Sequence, residues 1–373
     1  MRLLFNVNVA WFFISHRLEI ARAARDRGFD VHVSGDLESP EEAALLEREG
    51  FRFHRVHLTR GGLSPAHDLL YFRRLRKIMQ SVGPDLVHNV TVKPVIYGTM
   101  AARTLGISRI VNAVSGLGYA FTGGESRRLL AHLVKAAYRA ALNRPYVRVI
   151  FQNADDVETF TAAKIVDRRQ VVLIRGSGVN LDAFAQEPEP SGMPVVVLPA
   201  RMLRDKGVVE FASAAKRLRS AGSQAEFVLA GMTDPANPAS LRESEMAGLE
   251  RDTGVKWLGH VANMPALYRK SHIVCLPSYR EGMPKSLLEA CAAGRPIVTT
   301  DVPGCREAVR HGENGILVAP RNVEALSDGL AHLLADSSLR KRMGAAGRKR
   351  AEEEFDVRAV VRETLGVYQS MLA

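Results

Sequence analysis

The sequence predicts an α/β protein of two doubly wound domains, and three observations carry that expectation. Short apolar strand-like runs alternate with amphipathic helical segments through both halves, the pattern of parallel sheets covered by helices. Residues 187–194, Glu-Pro-Glu-Pro-Ser-Gly-Met-Pro, break both periodicities and read as a linker. At 373 residues the chain is long enough for two cores of ordinary size.

In the first half, strands are expected at 3–9, 30–34, 51–58, 85–90, 109–114 and 147–152, with 171–174 closing the sheet. Helices are expected between them at 11–27, 41–49, 66–82, 94–105 and 127–143. The apolar N-terminal run reads as a strand entering a helix rather than a leader peptide, because Asn6 and Asn8 interrupt it and His16, Arg17 and Glu19 follow. In the second half the order is strand 195–198, helix 207–220, strands 226–230 and 255–258, helix 264–270 and strand 273–277. A helix at 284–293, strands 296–300 and 315–318, and helices 323–334 and 339–355 follow; a terminal helix at 357–372 is long enough to pack back on the first domain.

The formal charge is +11, and its distribution says more than its size. Residues 1–185 hold 26 basic against 17 acidic side chains and the remainder 25 against 23; residues 51–150 alone hold 16 against 3. Such a surface calls for an anionic partner. Cys275, Cys291 and Cys305 have no metal-site spacing and suit a reducing cytoplasm. No apolar run is long enough to span a bilayer.

The chemistry concentrates in residues 277–301. A strand runs through a loop into a helix whose N-terminus, with its outward N–H groups and dipole, suits a phosphate. Gly282 allows close backbone approach, and the N–H groups of Met283, Lys285 and Ser286 are the candidate phosphate donors. Glu281 and Glu289 flank that anion site. Acids beside a phosphate need another task, and accepting hydrogen bonds from ligand hydroxyls is the natural one. Hydroxyls with phosphates describe a sugar nucleotide. Arg201 and Lys206 follow a strand at the carboxyl edge, where a guanidinium fork and an ammonium suit a diphosphate.

These residues carry a family resemblance. Glu281 and Glu289 resemble the E-x7-E signature of family 4 retaining glycosyltransferases of GT-B fold, and Arg201 and Lys206 resemble that family's diphosphate-binding pair. Val302-Pro-Gly-Cys-Arg-Glu-Ala-Val and His311-Gly-Glu-Asn-Gly-Ile-Leu-Val match the stretches that follow. In the first half, Ser15-His-Arg-Leu, His88-x-x-Thr-x-Lys-Pro and Ser115-Gly-Leu-Gly-Tyr look most like bacterial transferases that extend sugars on diphosphoundecaprenol, including those adding N-acetylgalactosamine. The resemblance implies two Rossmann-like domains facing a cleft: an acceptor and membrane domain over 1–186, the linker 187–194, a nucleotide-sugar domain over 195–356 and a returning C-terminal helix over 357–373. It implies that Glu289 holds the ribose, Glu281 meets the donor sugar, and His260 and Val261 carry the base.

The chain departs from the family pattern where a glycine-rich turn commonly follows the first strand, so Asn8 to His16 is expected to shape an acceptor pocket instead. Ser115 and Gly116 stand where many members carry a sugar-contacting histidine; His88 and Lys93 are further acceptor-side candidates. Arg128, His132, Lys135 and Arg139 line one stripe of a helix, and Arg73 and Arg74 crowd another, giving a face for anionic lipid.

The resulting expectation is a cytoplasmic enzyme, peripheral at the inner membrane face, that moves a hexose or N-acetylhexosamine from a UDP-sugar to a lipid-diphosphate-linked saccharide. No cofactor is expected, and with no D-x-D motif no catalytic metal. A sugar-nucleotide epimerase of the same architecture is an alternative that leaves the basic first domain unexplained. A nucleic-acid binder is the non-enzymatic alternative; no recognised nucleic-acid module or interleaved aromatics support it, so no nucleic-acid partner is expected.

Overall fold

Two parallel sheets carry the chain, one in each of two compact units, residues 1–177 with 358–373 and residues 178–357. The computed structural model describes residues 1–58, 64–116 and 128–373, with the backbone alone at 128–130.

The first unit contains β1 (Arg2–Val9), α1 (Ala10–His16), α2 (Leu18–Asp26), β2 (Asp30–Asp36), α3 (Pro40–Arg48), β3 (Arg52–Arg55) and α4 (Pro65–Val82). It continues through β4 (Leu86–Val90), a π-helical turn (Pro94–Gly98), α5 (Thr99–Thr104), β5 (Ile110–Val114), α6 (Arg128–Leu142), β6 (Val147–Phe151), α7 (Ala154–Ala162) and β7 (Val171–Leu173). The strands lie in the order β3-β2-β1-β4-β5-β6-β7. β1 is buried on both faces: Leu3, Phe5 and Val7 pack into one layer and Leu4 into the other, which is why its sequence reads as a near-continuous apolar run.

The middle of this sheet carries an unexpected polar ladder. Ser34, Asn6, Asn89 and Asn112 stand in register on four adjacent strands. Ser34 donates to Asn6 at 2.6 Å, Asn6 to Asn89 at 2.6 Å and Asn89 to Asn112 at 2.9 Å. Ser34, Asn6 and Asn89 each donate to the next strand, while the Asn112 amide nitrogen ends the ladder without a partner, so a one-residue slip would strand several more polar groups in the core.

The helix expected over 11–27 is two helices. Arg17 sits at the joint with φ −131° and ψ −7°, and its backbone N–H still bonds Phe13 O. Arg17 lies on the stripe that carries Phe13, Ile20, Ala21 and Ala24, so its guanidinium is directed toward the core and not to water.

The second unit contains β8 (Val195–Pro199), α8 (Val208–Ser220), β9 (Glu226–Ala230), α9 (Glu243–Thr253), β10 (Lys256–Trp257), α10 (Met264–Arg269) and β11 (Ile273–Leu276). α11 (Lys285–Ala292), β12 (Ile297–Thr300), α12 (Cys305–Ala308), β13 (Gly315–Val318), α13 (Val323–Ala335) and α14 (Ser337–Arg350) follow, and α14 runs into a π-helical turn at Ala351–Phe355. The strand order is β10-β9-β8-β11-β12-β13.

The boundary between units differs from the expected linker. Val179, Leu181 and Phe184 are buried in the second unit, and Val179 exchanges backbone bonds with Phe355 and Val357 at 2.8 and 3.1 Å. The proline-bearing stretch is clamped rather than loose: Arg295 donates to the carbonyls of Glu187 and Pro188, and Arg340 forks onto Glu189 at 2.8 and 2.7 Å. Composition marked the absence of periodic structure there, but not the buried arginines that hold it. The last helix, α15 (Val357–Leu372), contributes Val360, Leu365, Val367 and Tyr368 to the first unit's core. Among the described residues no helix is long and apolar enough to cross a membrane, and the three cysteines are buried and unpaired.

Candidate active site

In the second unit the chain builds from β8 outward to β10, then returns to place β11 on the other side of β8. The strand order therefore reverses between β8 and β11, and ligands of open α/β sheets bind at the carboxyl end of such a switch point. Arg201 follows β8 there, and the loop 278–282 follows β11.

Two glycines let the backbone close around that point. A Cβ on Gly207, at φ +72°, would lie 2.2 Å from the Pro277 carbonyl oxygen, so glycine alone lets the turn carrying Lys206 rest on the β11 end. A Cβ on Gly304 would meet the carbonyl oxygens of Glu281 and Gly282 at 2.6 and 2.7 Å. This accounts for the Val-Pro-Gly stretch, and the Glu281 N–H also donates to Pro303 O at 3.1 Å. Tyr279 ties the same loop to its other neighbour. Its N–H bonds Asp205 O at 2.9 Å, its hydroxyl donates to Glu210 at 2.5 Å, and the Arg321 guanidinium lies 4.4 Å from its ring centroid.

The charged residues meet as pairs. Lys206 Nζ donates to Glu281 Oε1 at 2.5 Å, and Ser278 Oγ donates to the same oxygen at 2.7 Å. Arg201 Nη1 donates to Asp234 Oδ2 at 2.6 Å. Glu289, 8% exposed, accepts from the Tyr268 hydroxyl at 3.1 Å, with Lys285 Nζ 3.7 Å away. Burial pushes the Glu289 carboxyl above its ordinary value, against the opposing pull of Lys285 and the Tyr268 hydrogen bond. Burial, with the Glu289 charge, raises the Tyr268 phenol as well.

Pro284 is the cap of α11 rather than part of its first turn, and Leu287 and Leu288 donate back to its carbonyl. The amides at the start of α11, Lys285 and Ser286, leave through the helix N-terminus beside Glu281, with Gly282 and Met283 buried under the approach. His260 is exposed and Val261 half-buried on the loop after β10. Asp234, Tyr268 and Ser278 escaped the sequence reading: Asp234 and Tyr268 sit outside any motif, 33 and 21 residues from the side chains they hold.

The first unit repeats the arrangement, with its strand order reversing between β1 and β4. Its acceptor-side candidates do not all gather. Asn8 Oδ1 accepts from the adjacent Val9 N–H, and His16 stacks on Phe12 with centroids 4.2 Å apart. Lys93 pairs with Asp68 at 2.7 Å. His88 lies within β4 and not past its end, buried beneath Phe5 and bonded to Tyr368. Ser115 accepts a long 3.4 Å hydrogen bond from Arg17, and Gly116 adopts φ +114°. Residues 117–119 lie outside the described residues. Thr91, beyond β4, holds φ +74°, an outlier for a β-branched residue of the kind that marks ligand sites.

The expected lipid face changes too. Arg73 and Arg74 are exposed on α4, next to exposed Leu69 and Leu70 one turn earlier. Arg139 instead donates to the carbonyls of Ala163 and Lys164 past the end of α7, a helix the sequence reading missed. Lys135 is half-buried, and the Arg128 side chain lies outside the description. Among the described residues no three His, Cys, Asp or Glu side chains group as a metal would require.

Residues 180–350 match the family model described as glycosyl transferases group 1, and residues 2–153 match glycosyl transferase 4-like. The chain is 28% identical to the N,N'-diacetylbacillosaminyl-diphospho-undecaprenol alpha-1,3-N-acetylgalactosaminyltransferase of Campylobacter jejuni, across 96% of this chain and 98% of that one. It is 23% identical to the UDP-Gal:alpha-D-GlcNAc-diphosphoundecaprenol alpha-1,3-galactosyltransferase of Escherichia coli, across 74% and 73%. Among solved structures, sucrose-phosphate synthase from Thermosynechococcus elongatus superposes with a TM-score of 0.80 at 18% identity, across 100% of this chain and 99% of that one; such a likeness speaks to the GT-B fold.

Proposed function

We propose, on the premise that the chain belongs to the group 1, family 4-like glycosyltransferases, that it moves a hexose or N-acetylhexosamine from a UDP-sugar to a lipid-diphosphate-linked saccharide with retention of configuration. The observation that carries the reading is the convergence of Arg201, Lys206, Glu281, Glu289 and the α11 N-terminus on one switch point. Two cations and the amides suit a diphosphate, and the buried carboxylate suits ribose hydroxyls. Support for the acceptor comes from the Campylobacter and Escherichia relatives, both named for sugars on undecaprenol diphosphate, and support for a UDP donor from the latter. Both are named as transferases, which favours transfer over epimerisation.

In the reaction, the bond between the sugar C1 and the β-phosphate oxygen breaks and a bond from C1 to an acceptor hydroxyl oxygen forms. The acceptor proton passes to the departing phosphate, and UDP leaves. Arg201, Lys206 and the α11 amides stabilise charge that grows on the diphosphate in the transition state, where such preorganised donors act most strongly. Glu281, fixed by Lys206 and Ser278, faces the donor sugar. The exposed leucines and arginines of α4 dock the first unit on anionic lipid.

The test is incubation with a panel of UDP-sugars and sugar-diphosphate-lipid acceptors, followed by product identification. One UDP-sugar and one lipid-diphosphate acceptor should give an α-linked product, with turnover surviving EDTA. Interconversion of a UDP-sugar without acceptor would replace the reading by epimerisation. Loss of activity to EDTA and return with Mn²⁺ would remove the metal-free mechanism.

A further inference from the structure

Arg17 is 4% exposed, and among the described residues no carboxylate pairs with it. Its Nη1 donates to the adjacent His16 carbonyl at 2.9 Å, its Nη2 only to Ser115 Oγ at 3.4 Å, and its buried Nε has no partner. Other buried arginines are treated differently. Arg340 forks onto Glu189, Arg350 bonds Glu354, and Arg295 spends its donors on four carbonyls. A buried guanidinium left this far from satisfied is costly unless something else completes it.

A second orphan packs against Phe5, the ring that also meets Phe13 one turn before Arg17. His88 Nδ1 lies 2.5 Å from the Tyr368 hydroxyl, while its buried Nε2 has no partner. The phenolic O–H is the stronger donor, so it serves Nδ1 and the imidazole keeps its proton on Nε2. Burial and the Arg17 charge both push the His88 pKa well below its ordinary value and hold it neutral; burial lowers that of Arg17 to about 10, with Tyr368 opposing. Phe5 links the two sites: its ring centroid lies 5.3 Å from that of Phe13, one turn before Arg17, and 5.1 Å from that of His88. Arg17 also caps the start of α2 without a side-chain hydrogen bond, which adds the dipole of a nine-residue helix. The acid of that first turn, Glu19, is turned to Arg22 at 2.8 Å.

What remains open is donor in kind: a guanidinium N–H, an imidazole N–H, a serine hydroxyl and a helix N-terminus. Arg17 follows the helix that leaves β1, His88 lies within β4 and Ser115 follows the adjacent β5, so the three come from elements flanking the point where the first sheet reverses its strand order. We propose that Arg17, the Nε2–H of His88 and the Ser115 hydroxyl bind phosphate oxygens, and that they hold the diphosphate of the acceptor. The second half of this assignment rests on the acceptor class proposed above. Tyr368 is a positioning residue, fixing the His88 tautomer from the C-terminal helix.

The experiment uses the full chain saturated with UDP, so that the donor site is filled, and titrates inorganic pyrophosphate by calorimetry for wild type, Arg17→Met, Arg17→Lys and Ser115→Ala. In parallel, acceptor KM is measured for a sugar on a short prenyl diphosphate and for the same sugar as an alkyl glycoside. Arg17→Met should weaken pyrophosphate and raise the prenyl-diphosphate KM by about tenfold or more, the scale of a lost charge-assisted hydrogen bond. Arg17→Lys should recover part of both, UDP affinity should not move, and the glycoside KM should be indifferent to the variant. The ¹⁵N resonance of His88 Nε2 should report a protonated nitrogen that shifts with pyrophosphate. Pyrophosphate binding or prenyl-diphosphate KM that ignores Arg17 overturns the proposal. If Arg17→Met loses UDP binding through misfolding, Arg17→Lys and Ser115→Ala decide by the same readouts. Arg17-dependent pyrophosphate binding in a protein that uses no lipid-diphosphate acceptor would keep the anion site and discard the acceptor class.

Discussion

The two sheets reverse strand order beside their first strands, yet the two switch points hold charge in opposite ways. In the second unit each site cation answers to an acid: Arg201 to Asp234, Lys206 to Glu281, Lys285 to Glu289. In the first unit Lys93 is tied to Asp68, while Arg17 is paired with no carboxylate among the described residues. The difference is one of exchange against capture. A diphosphate reaching the second unit must compete with carboxylates already in place, so its net gain is a difference between two pairings. That suits the proposed donor, which would leave as UDP after every turnover. An anion reaching Arg17 completes groups that are otherwise short of partners and gains the larger part of each interaction.

The largest test of this contrast is removal of the exchanged cations. Arg201→Ala and Lys206→Ala should each lower kcat by about 100-fold or more, because the diphosphate gains most charge as the glycosidic bond breaks. Near-wild-type turnover of both variants at saturating donor would end the idea that these residues stabilise the leaving group.

Next in size is the ribose contact. Glu289→Ala should weaken UDP by about tenfold or more, since charge-assisted bonds are lost in a buried site. The pH dependence has a definite sign. Burial raises the Glu289 pKa, so the charged acceptor is lost, and UDP affinity falls, as pH drops through a value above that of an ordinary glutamate. Glu289→Gln should abolish that pH step; calorimetry finding the same step in the variant would assign it elsewhere. The linkage to folding runs the other way: a raised carboxyl contributes stability below its unfolded pKa and loses it as pH rises through the folded value.

A smaller and more discriminating effect concerns exchange itself. Glu281→Gln releases Lys206 from its resting partner, so UDP should bind about fivefold tighter, equivalent to roughly 1 kcal/mol, while turnover falls. Weaker UDP binding in that variant would mean that Glu281 does not compete with the diphosphate.

The smallest effect tests the charge asymmetry between the units. Arg73→Gln or Arg74→Gln should each reduce pelleting with acidic vesicles by at most about 1 kcal/mol, less as salt rises. Vesicle sedimentation that is indifferent to lipid charge would reduce the face on α4 to a solvated helix.

Sequence alone determined the class of fold and half of the site. Short apolar runs such as 195–198 and 273–276, rich in Val and Ile, read as strands buried on both faces, and the spacing of Arg201, Lys206, Glu281 and Glu289 around strand ends is a local property. Polar α9 and α7 escaped because only a few of their residues face a core. What tertiary structure alone decided is which polar groups find partners. Asp234 reaches Arg201, Arg340 holds Glu189 across 151 residues, and His88 meets Tyr368 across 280. Periodicity reports which side chains share a face, and position 17 falls on the stripe of Phe13, Ile20, Ala21 and Ala24, but it does not say what a guanidinium there would meet. The guanidinium enters the core side on that stripe, where no carboxylate among the described residues pairs with it. Burial and partner are properties of the assembled sheet, so the cation that most needs a ligand became visible only once the strands were laid side by side.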